Sequence, residues 1–354
     1  MRKVNTANIT ANIIVAFLLI LSFNTHTIAF AEDIGGRSEN AEISGLYLVP
    51  VGRTIGVTLD MEGAQVVDTE SITDYNGDKH DPAREAGISA SDIIIQVDGE
   101  EVKNVTELTE RLNAVGDRET EIVVRTSGGK EKCVSIRPVL SSDDGNYKLG
   151  VWVKDAASGI GTMTYYDPKT REFGGLGHGI CDADTGEIIT AKSGDIFKSV
   201  VAGVRKGEKG FPGELVGVFS DANEKIGTVF VNNSIGIKGE LKEDADINLS
   251  GDAIPVAESD EVATGAASIL ANVENDVVEE FEIEIEKVNY DNDEYKDIIF
   301  KVSDDKLLSK TGGIVQGMSG SPIIQNGKLI GAVTHVLIND PSKGYGVFIK
   351  KMLE

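Results

Sequence analysis

The stretch Gly312-Gly-Ile-Val-Gln-Gly-Met-Ser-Gly-Ser-Pro322 has the composition typical of a serine-nucleophile loop. A turn of this kind bends the backbone so that the hydroxyl of Ser319 projects outward. It also directs the amides of Gly317, Met318 and Ser319 toward one concave spot, where they could stabilise an oxyanion. The alternative is a turn that only joins two strands, because Gly/Ser/Pro-rich turns are common. The choice depends on whether the chain also supplies a base and a carboxylate.

A candidate base is present among the four histidines of the chain. His178 lies in Gly174-Gly-Leu-Gly-His-Gly-Ile180, where the glycines expose the imidazole and let backbone approach it closely. This setting suits a general base for Ser319. A turn histidine whose ring is satisfied by backbone groups is the alternative. His335 follows the nucleophile loop on a strand-like run, and we interpret it as a core or edge residue of that strand.

Length, charge and cysteine content limit the classes of function. A chain of 354 residues with 40% apolar composition can form two or more cores. Its formal net charge of −24 makes nucleic acids and anionic lipid surfaces poor partners. The only two cysteines, Cys133 and Cys181, fall in different predicted domains, so they support neither a disulfide framework nor a four-cysteine zinc site. Hydrolysis through an acyl-enzyme on Ser319 requires neither a metal nor an organic cofactor, and we predict none.

The first 31 residues have the pattern of an export signal. Arg2 and Lys3 precede the apolar run Ile13–Phe23, and Ala29-Phe-Ala31 fits the small-x-small cleavage rule. The apolar run is about half the ~20 residues that a membrane-spanning helix needs. We therefore expect residues 1–31 to be cleaved, with retention as an N-terminal anchor as the alternative. Residues 32–44 are polar and aperiodic, and they are predicted to form a flexible linker.

Residues 45–140 are predicted to form a small mixed domain. Pro82-Ala-x-x-Ala-Gly-Ile88, followed by Asp92-Ile-x-x-x-Val-Asp-Gly99, resembles the helix-loop-strand signature of PDZ domains. The resemblance implies that an extended peptide adds a strand to the sheet edge and that loop amides receive its terminal carboxylate. The run Thr54, Ile55, Gly56 and Val57 stands where that carboxylate-binding loop is expected.

The sequence from residue 145 onward consists mostly of short runs of strand length. In Phe281–Val288 the alternation is strict, with one apolar and one charged face. Many such runs predict a barrel or a pair of barrels over residues 145–354. His178 precedes Ser319 here, which is the chain order of a chymotrypsin-like protease with its base in the first barrel. We therefore predict a mainly β protein with a PDZ-like domain followed by a chymotrypsin-like double β-barrel.

Three segments together resemble the stage IV sporulation protein B peptidases, and the resemblance extends over the whole chain. They are Gly177-His-Gly-Ile180, Lys310–Ile324, and Val333–Pro341 with Gly344-Tyr-Gly-Val347.

In that family an aspartate lies shortly before the nucleophile loop. The resemblance therefore implies that Asp304 is the third member of a triad with His178 and Ser319. Asp305 beside it is an alternative, and the ordinary chymotrypsin arrangement would point instead to Asp221.

The resemblance also implies a function. It indicates an exported, self-processing serine endopeptidase that acts in the space between the forespore and mother-cell membranes. Its substrate would be a membrane-anchored regulator that restrains an intramembrane protease, which in turn activates a late mother-cell sigma factor. Peptide tails are expected to bind the PDZ-like domain. The alternatives are a PDZ scaffold with a degenerate protease barrel and a broad quality-control serine protease, in which the protease would precede the PDZ domain.

Overall fold

The computed structural model describes residues 45–354, except 184–185, 190, 192, 220–223, 246, 250 and 291–294. The predicted export signal (1–31) and linker (32–44), and the alternative carboxylate Asp221, lie outside the described residues. Within the described ranges, no helix has the length and apolar character needed to cross a membrane.

The described chain is mainly β, which confirms the predicted fold class. The strands are β1 (Tyr47–Thr69), β2 (Ile72–Thr73), β3 (Lys79–His80), β4 (Ile93–Val97), β5 (Glu100–Glu101), β6 (Thr120–Arg125), β7 (Glu131–Ile136), β8 (Val139–Leu140), β9 (Tyr147–Lys148), β10 (Val151–Tyr166), β11 (Glu172–Gly175), β12 (Ser193–Arg205), β13 (Glu214–Phe219), β14 (Lys225–Asn233), β15 (Gly236–Leu241), β16 (Ile254–Pro255), β17 (Gly265–Glu274), β18 (Val277–Val288), β19 (Ile298–Val302), β20 (Pro322–Gln325), β21 (Lys328–Val336) and β22 (Lys343–Phe348). The helices are α1 (Pro82–Glu85), α2 (Val105–Val115), α3 (Asp305–Thr311) and α4 (Ile349–Leu353), with a 3-10 turn at Ser259–Glu261.

The first barrel is a closed ring of strands in the order β1-β10-β11-β15-β14-β12, with β12 pairing back onto β1. Its interior is filled by buried apolar side chains, among them Ile55, Leu59, Met163, Phe173 and Ile196. Closing the ring pairs the backbone groups that an open sheet would leave at its edges.

The second barrel closes in the order β17-β18-β19-β22-β21-β20. Strand β18 shows why its sequence forms such a wall. Phe281, Ile283 and Ile285 are buried inside the barrel, whereas the glutamates between them are exposed. Successive side chains of a strand point to opposite faces, which explains the alternation. The predicted alternation of this segment is therefore confirmed.

The PDZ-like domain is built on the last residues of β1, on β4, β6 and β7, and on the beginning of β10. Leu108, Leu112 and Val115 of α2 face its core at helical spacing. Asn104 caps this helix, because its side chain accepts a hydrogen bond from the amide of Glu107 at 2.8 Å.

The PDZ-like domain is inserted into the first barrel, which corrects the predicted boundary between residues 45–140 and 145–354. Residues Ile55–Asp60 of β1 pair with β10 on one side and with β12 on the other, so they belong to the first barrel. The chain then builds the PDZ-like domain and returns along β10. Strand propensity alone does not show this, because the partners of β1 lie about 100 residues or more along the chain.

A buried arginine joins the two barrels. Arg53 of β1 is 4% exposed and forms a salt bridge with Asp276, in the turn between β17 and β18. Its Nε also donates to the carbonyl of Asn248 at 3.0 Å. Burial of a charge is tolerated here because the guanidinium is paired and hydrogen-bonded.

Candidate active site

The nucleophile loop runs from the end of α3 to the start of β20. Gly312 ends α3 in the left-handed conformation (φ 77°), and Gly317 and Gly320 also have positive φ values of 93° and 97°. Side chains with a Cβ rarely adopt this region, so the glycines on either side of the Met318-Ser319 pair allow the loop to fold back. Met318 is fully buried beneath it and anchors it to the second barrel.

Two of the three predicted oxyanion donors have free amides. The Met318 amide donates to the carbonyl of Val315 at 3.1 Å, so it is not available to a substrate, and its predicted role is corrected. The amides of Gly317 and Ser319 make no hydrogen bond within the described part of the chain. A pair of amides two residues apart, one of which belongs to the nucleophile itself, is the arrangement that stabilises a tetrahedral oxyanion.

Ser319 and the residue before His178, Gly177, both contact Thr334. Ser319 Oγ donates to the carbonyl of Thr334 at 2.8 Å. Gly177 packs against the side chain of Thr334: a Cβ added at Gly177 would lie 3.0 Å from Thr334 Cγ2. The nucleophile and the turn that carries the candidate base therefore both contact Thr334 of the second barrel.

The imidazole of His178 is held in the tautomer that a general base needs. Its Nδ1 lies 2.9 Å from the carbonyl oxygen of Gly179. Because a carbonyl only accepts, Nδ1 carries the proton and Nε2 keeps its lone pair. Burial lowers the pKa of His178, and the hydrogen bond to Gly179 opposes that shift. The ring is therefore neutral at pH 7.

His335 is a site residue that the sequence interpretation missed. It follows Thr334 on β21, its side chain is exposed, and its ring centroid lies 5.0 Å from that of His178. Partial desolvation, and then the nearby His178 and Lys296, lower the pKa of His335. In the sequence, the only indication of this role is the position of His335 on the strand that follows the nucleophile loop.

Asp304 does not meet His178, which corrects its predicted place in a triad. It is the N-cap of α3, where its carboxylate accepts from the amide of Leu307 at 2.9 Å. Ile299 and His335 both pair with Tyr345, whereas Asp304 lies beyond the end of β19 at Val302, where its carboxylate also accepts from the amide of Glu282 at 3.4 Å.

The alternative Asp305 does not supply the carboxylate either, since it is the exposed first residue of α3. Among the residues that the structure describes, no carboxylate hydrogen-bonds to His178. The buried hydroxyl of Thr334 is also without a hydrogen-bond partner in those ranges.

The predicted carboxylate-binding loop of the PDZ-like domain is also in a different place. Thr54, Ile55 and Val57 are buried inside β1 of the first barrel, and β1 is paired on both sides from Ile55 to Asp60. Residues Ile55–Val57 therefore have no free edge to offer a peptide, and Thr54 is buried beside them.

The PDZ-like domain does have an available sheet edge, at the start of β10. Residues Val151–Val153 pair with β1 on one side, and no described strand pairs with their other side. Helix α2 packs beside this segment, and the carboxylate of Asp155 accepts from the amide of Val105 at the start of α2, at 2.9 Å. An unpaired edge next to a helix is the geometry that peptide addition uses.

Comparison with protein families agrees with this architecture. Residues 145–353 match the family SpoIVB peptidase S55, and residues 73–126 match a PDZ domain. The chain belongs to the SpoIVB peptidase S55 family. The resemblance seen in the sequence is thereby confirmed, and membership of S55 makes the chain a serine peptidase.

The solved structures that resemble this S55 peptidase are distant. The Rv3671c protease in its inactive form is 14% identical with a TM-score of 0.31, covering 55% of this chain and 81% of that one. The active form, from M. tuberculosis, is 14% identical with a TM-score of 0.30, covering 56% and 73%. Human heparin binding protein is 10% identical with a TM-score of 0.28, covering 53% and 80%. TM-scores of this size do not establish a shared site geometry. No curated protein is similar enough to count as a match.

The chemistry that this S55 site offers is acyl transfer. It combines a serine hydroxyl, a neutral imidazole in the base tautomer, and the amides of Gly317 and Ser319, which have no partner in the described part of the chain. Within the described ranges, no three His, Cys, Asp or Glu residues are grouped to hold a metal ion.

Proposed function

We propose that the protein is an endopeptidase in which Ser319 is the nucleophile and His178 is the general base. The observation that carries the proposal is the convergence of Ser319 and the Gly177-His178 turn on Thr334, with the Gly317 and Ser319 amides free beside them.

The reaction begins when the Ser319 hydroxyl leaves the Thr334 carbonyl, a change that costs about 1 kcal/mol for one hydrogen bond. His178 Nε2 accepts the hydroxyl proton while Oγ attacks the scissile carbonyl carbon. The Gly317 and Ser319 amides stabilise the oxyanion, and His178 then protonates the leaving amine. Water releases the acyl group by the same steps in reverse order. The Gly179 carbonyl orients the imidazole through its Nδ1–H.

The finer biological role is proposed from the family resemblance. It is that of an exported signalling protease, self-processing near its N-terminus and acting between the forespore and mother-cell membranes. The substrate would be a membrane-anchored regulator of the intramembrane protease that activates a late mother-cell sigma factor. The edge at Val151–Val153, which no described strand covers, supports capture of a peptide tail by the PDZ-like domain, which raises the local concentration of the substrate.

The test compares the full chain with Ser319→Ala and with Ser321→Ala. Ser321 is a matched control, because it lies in the same loop and its buried hydroxyl has no partner among the described residues. A fluorophosphonate should label the wild type and Ser321→Ala, but not Ser319→Ala. N-terminal sequencing should show a processed start that Ser319→Ala lacks. Equal labelling and equal N-termini in all three proteins would refute the nucleophile assignment.

A second candidate is a peptide-binding scaffold with an inactive barrel. Two observations favour it: the Ser319 hydroxyl is bonded to Thr334, and no described carboxylate contacts His178. A wild type that stays unlabelled while it still binds peptides would support this function. Cleavage of many unfolded substrates would instead indicate a quality-control protease.

A further inference from the structure

One residue of the first barrel contacts both catalytic loops. Thr162 of β10 is 1% exposed. Its amide donates to the Ser319 carbonyl at 3.0 Å, and its hydroxyl donates to the Gly317 carbonyl at 2.7 Å. Its own carbonyl accepts from the amide of Leu176, in the turn that leads to His178, at 3.1 Å. Thr162 thus links the base turn and the nucleophile loop.

The hydroxyl of Thr162 acts on the peptide group that lies between the two oxyanion amides. That group consists of the Gly317 carbonyl and the Met318 amide. Thr162 Oγ1 holds its oxygen, and the Val315 carbonyl holds its N–H. Because a peptide group is planar, fixing both atoms fixes the plane. The flanking groups, which carry the free amides of Gly317 and Ser319, are oriented as a result.

The packing around Thr162 leaves no room for the loop to shift. A Cβ added at Gly320 would lie 2.0 Å from the Thr162 carbonyl oxygen and 2.5 Å from the Leu176 amide nitrogen. Thr164, two residues along β10, donates through Oγ1 to the Gly320 carbonyl at 2.7 Å. The loop is therefore seated directly on β10.

We propose that Thr162 is a positioning residue for peptide hydrolysis, which holds the oxyanion amides through the Gly317 carbonyl. The inference rests on the proposed function, since it gives Thr162 a role only if Ser319 is the nucleophile. It goes beyond that function by placing part of the catalytic geometry in the first barrel, on a strand that begins in the PDZ-like domain.

The test measures the second-order rate constant for fluorophosphonate labelling of the full chain, because the phosphoryl oxygen of the probe occupies the oxyanion site. Thr162→Val keeps the shape of the side chain and removes the donor, and Thr162→Ser keeps the donor. Removing a direct oxyanion donor lowers rates by about 10²–10³-fold. For displaced amides we expect a loss of about tenfold or more in Thr162→Val, and a rate within about threefold of wild type in Thr162→Ser.

Thr164→Val is the matched comparison, because it removes the same kind of bond from the same strand, on the far side of Ser319. It should lower the unfolding midpoint about as much as Thr162→Val, with a smaller loss of labelling. If Thr162→Val does not fold, Thr162→Ala takes its place, with the same loss expected.

The possible failures can be told apart. A wild type labelled no faster than Ser319→Ala overturns the proposed function, and with it this inference. A labelled wild type together with an equally reactive Thr162→Val, or with Thr162→Ser as slow as Thr162→Val, overturns the role of Thr162 alone. Serine rescue and a labelling loss larger than that of Thr164→Val support it, since a merely structural role would produce neither.

Discussion

Substitution of Gly320 by alanine tests whether the nucleophile loop is seated on β10 as described. Gly320 has a φ of 97°, and a Cβ there would lie 2.0 Å from the Thr162 carbonyl oxygen. Gly327, in the turn between β20 and β21, also has a positive φ, 74°, but nothing lies within 4 Å of an added Cβ. The two substitutions share the backbone strain, and only Gly320→Ala adds a collision.

The expected magnitudes follow from this difference. Left-handed backbone costs a residue with a Cβ about 1–2 kcal/mol, which is the whole expected effect of Gly327→Ala. Ordinary contact begins near 3.4 Å, so an alanine at 320 must move the loop away from β10 by about 1.4 Å. That shift breaks the bonds from the Gly320 amide to Val333 and from Thr164 Oγ1 to the Gly320 carbonyl, both 2.7 Å long. Each of the two broken bonds costs about 1–3 kcal/mol, so with the backbone strain the total for Gly320→Ala is about 3–8 kcal/mol.

The assay is urea unfolding of both variants and of the wild type, followed by circular dichroism, together with fluorophosphonate labelling of Ser319. We expect Gly320→Ala to lose both stability and labelling, and Gly327→Ala to keep its labelling rate. If the two variants unfold within about 0.5 kcal/mol of each other and label equally fast, the close contact between Gly320 and Thr162 is wrong.

Two further predictions concern the third triad position and the base. Asp304→Ala should lower the free energy of unfolding by about 1 kcal/mol through loss of the α3 cap, whereas Asp304→Asn should keep both stability and labelling rate. A loss of about 10⁴-fold in Asp304→Asn, as expected of a triad aspartate, would contradict the structure. In a pH series, labelling requires neutral His178, whose pKa is lowered from 6.5 by burial, so the rate should reach half its maximum below pH 6.5. Because the folded-state pKa is depressed, His178 also contributes less stability as the pH falls below 6.5. A midpoint at or above 6.5 would show that the ring is not desolvated.

Much of the local structure could be read from the sequence, because it depends on neighbours in the chain. The alternation of Phe281, Ile283 and Ile285 with glutamates gave the correct faces of β18. The glycines around Ser319 predicted the sharp loop. Each of these signals lies within a few residues, where backbone geometry and side-chain period act directly.

Tertiary pairing decided the rest. A strand pattern does not name its partner, so β1 was assigned to the PDZ-like domain although it also pairs with β10 and β12. An aspartate before a helix serves equally well as a cap or as a triad member, and only the register of β19 against β22 places Asp304 away from His178.

The sequence by itself therefore determined the buried and exposed faces of β18, the sharp turn of the nucleophile loop, and the family. Only the tertiary structure decided which groups meet: His178 with His335, the Met318 amide with Val315, and Thr162 with the nucleophile loop. The physical reason is that these contacts join residues on different strands and loops, and their distances are set by barrel closure rather than by the local chain.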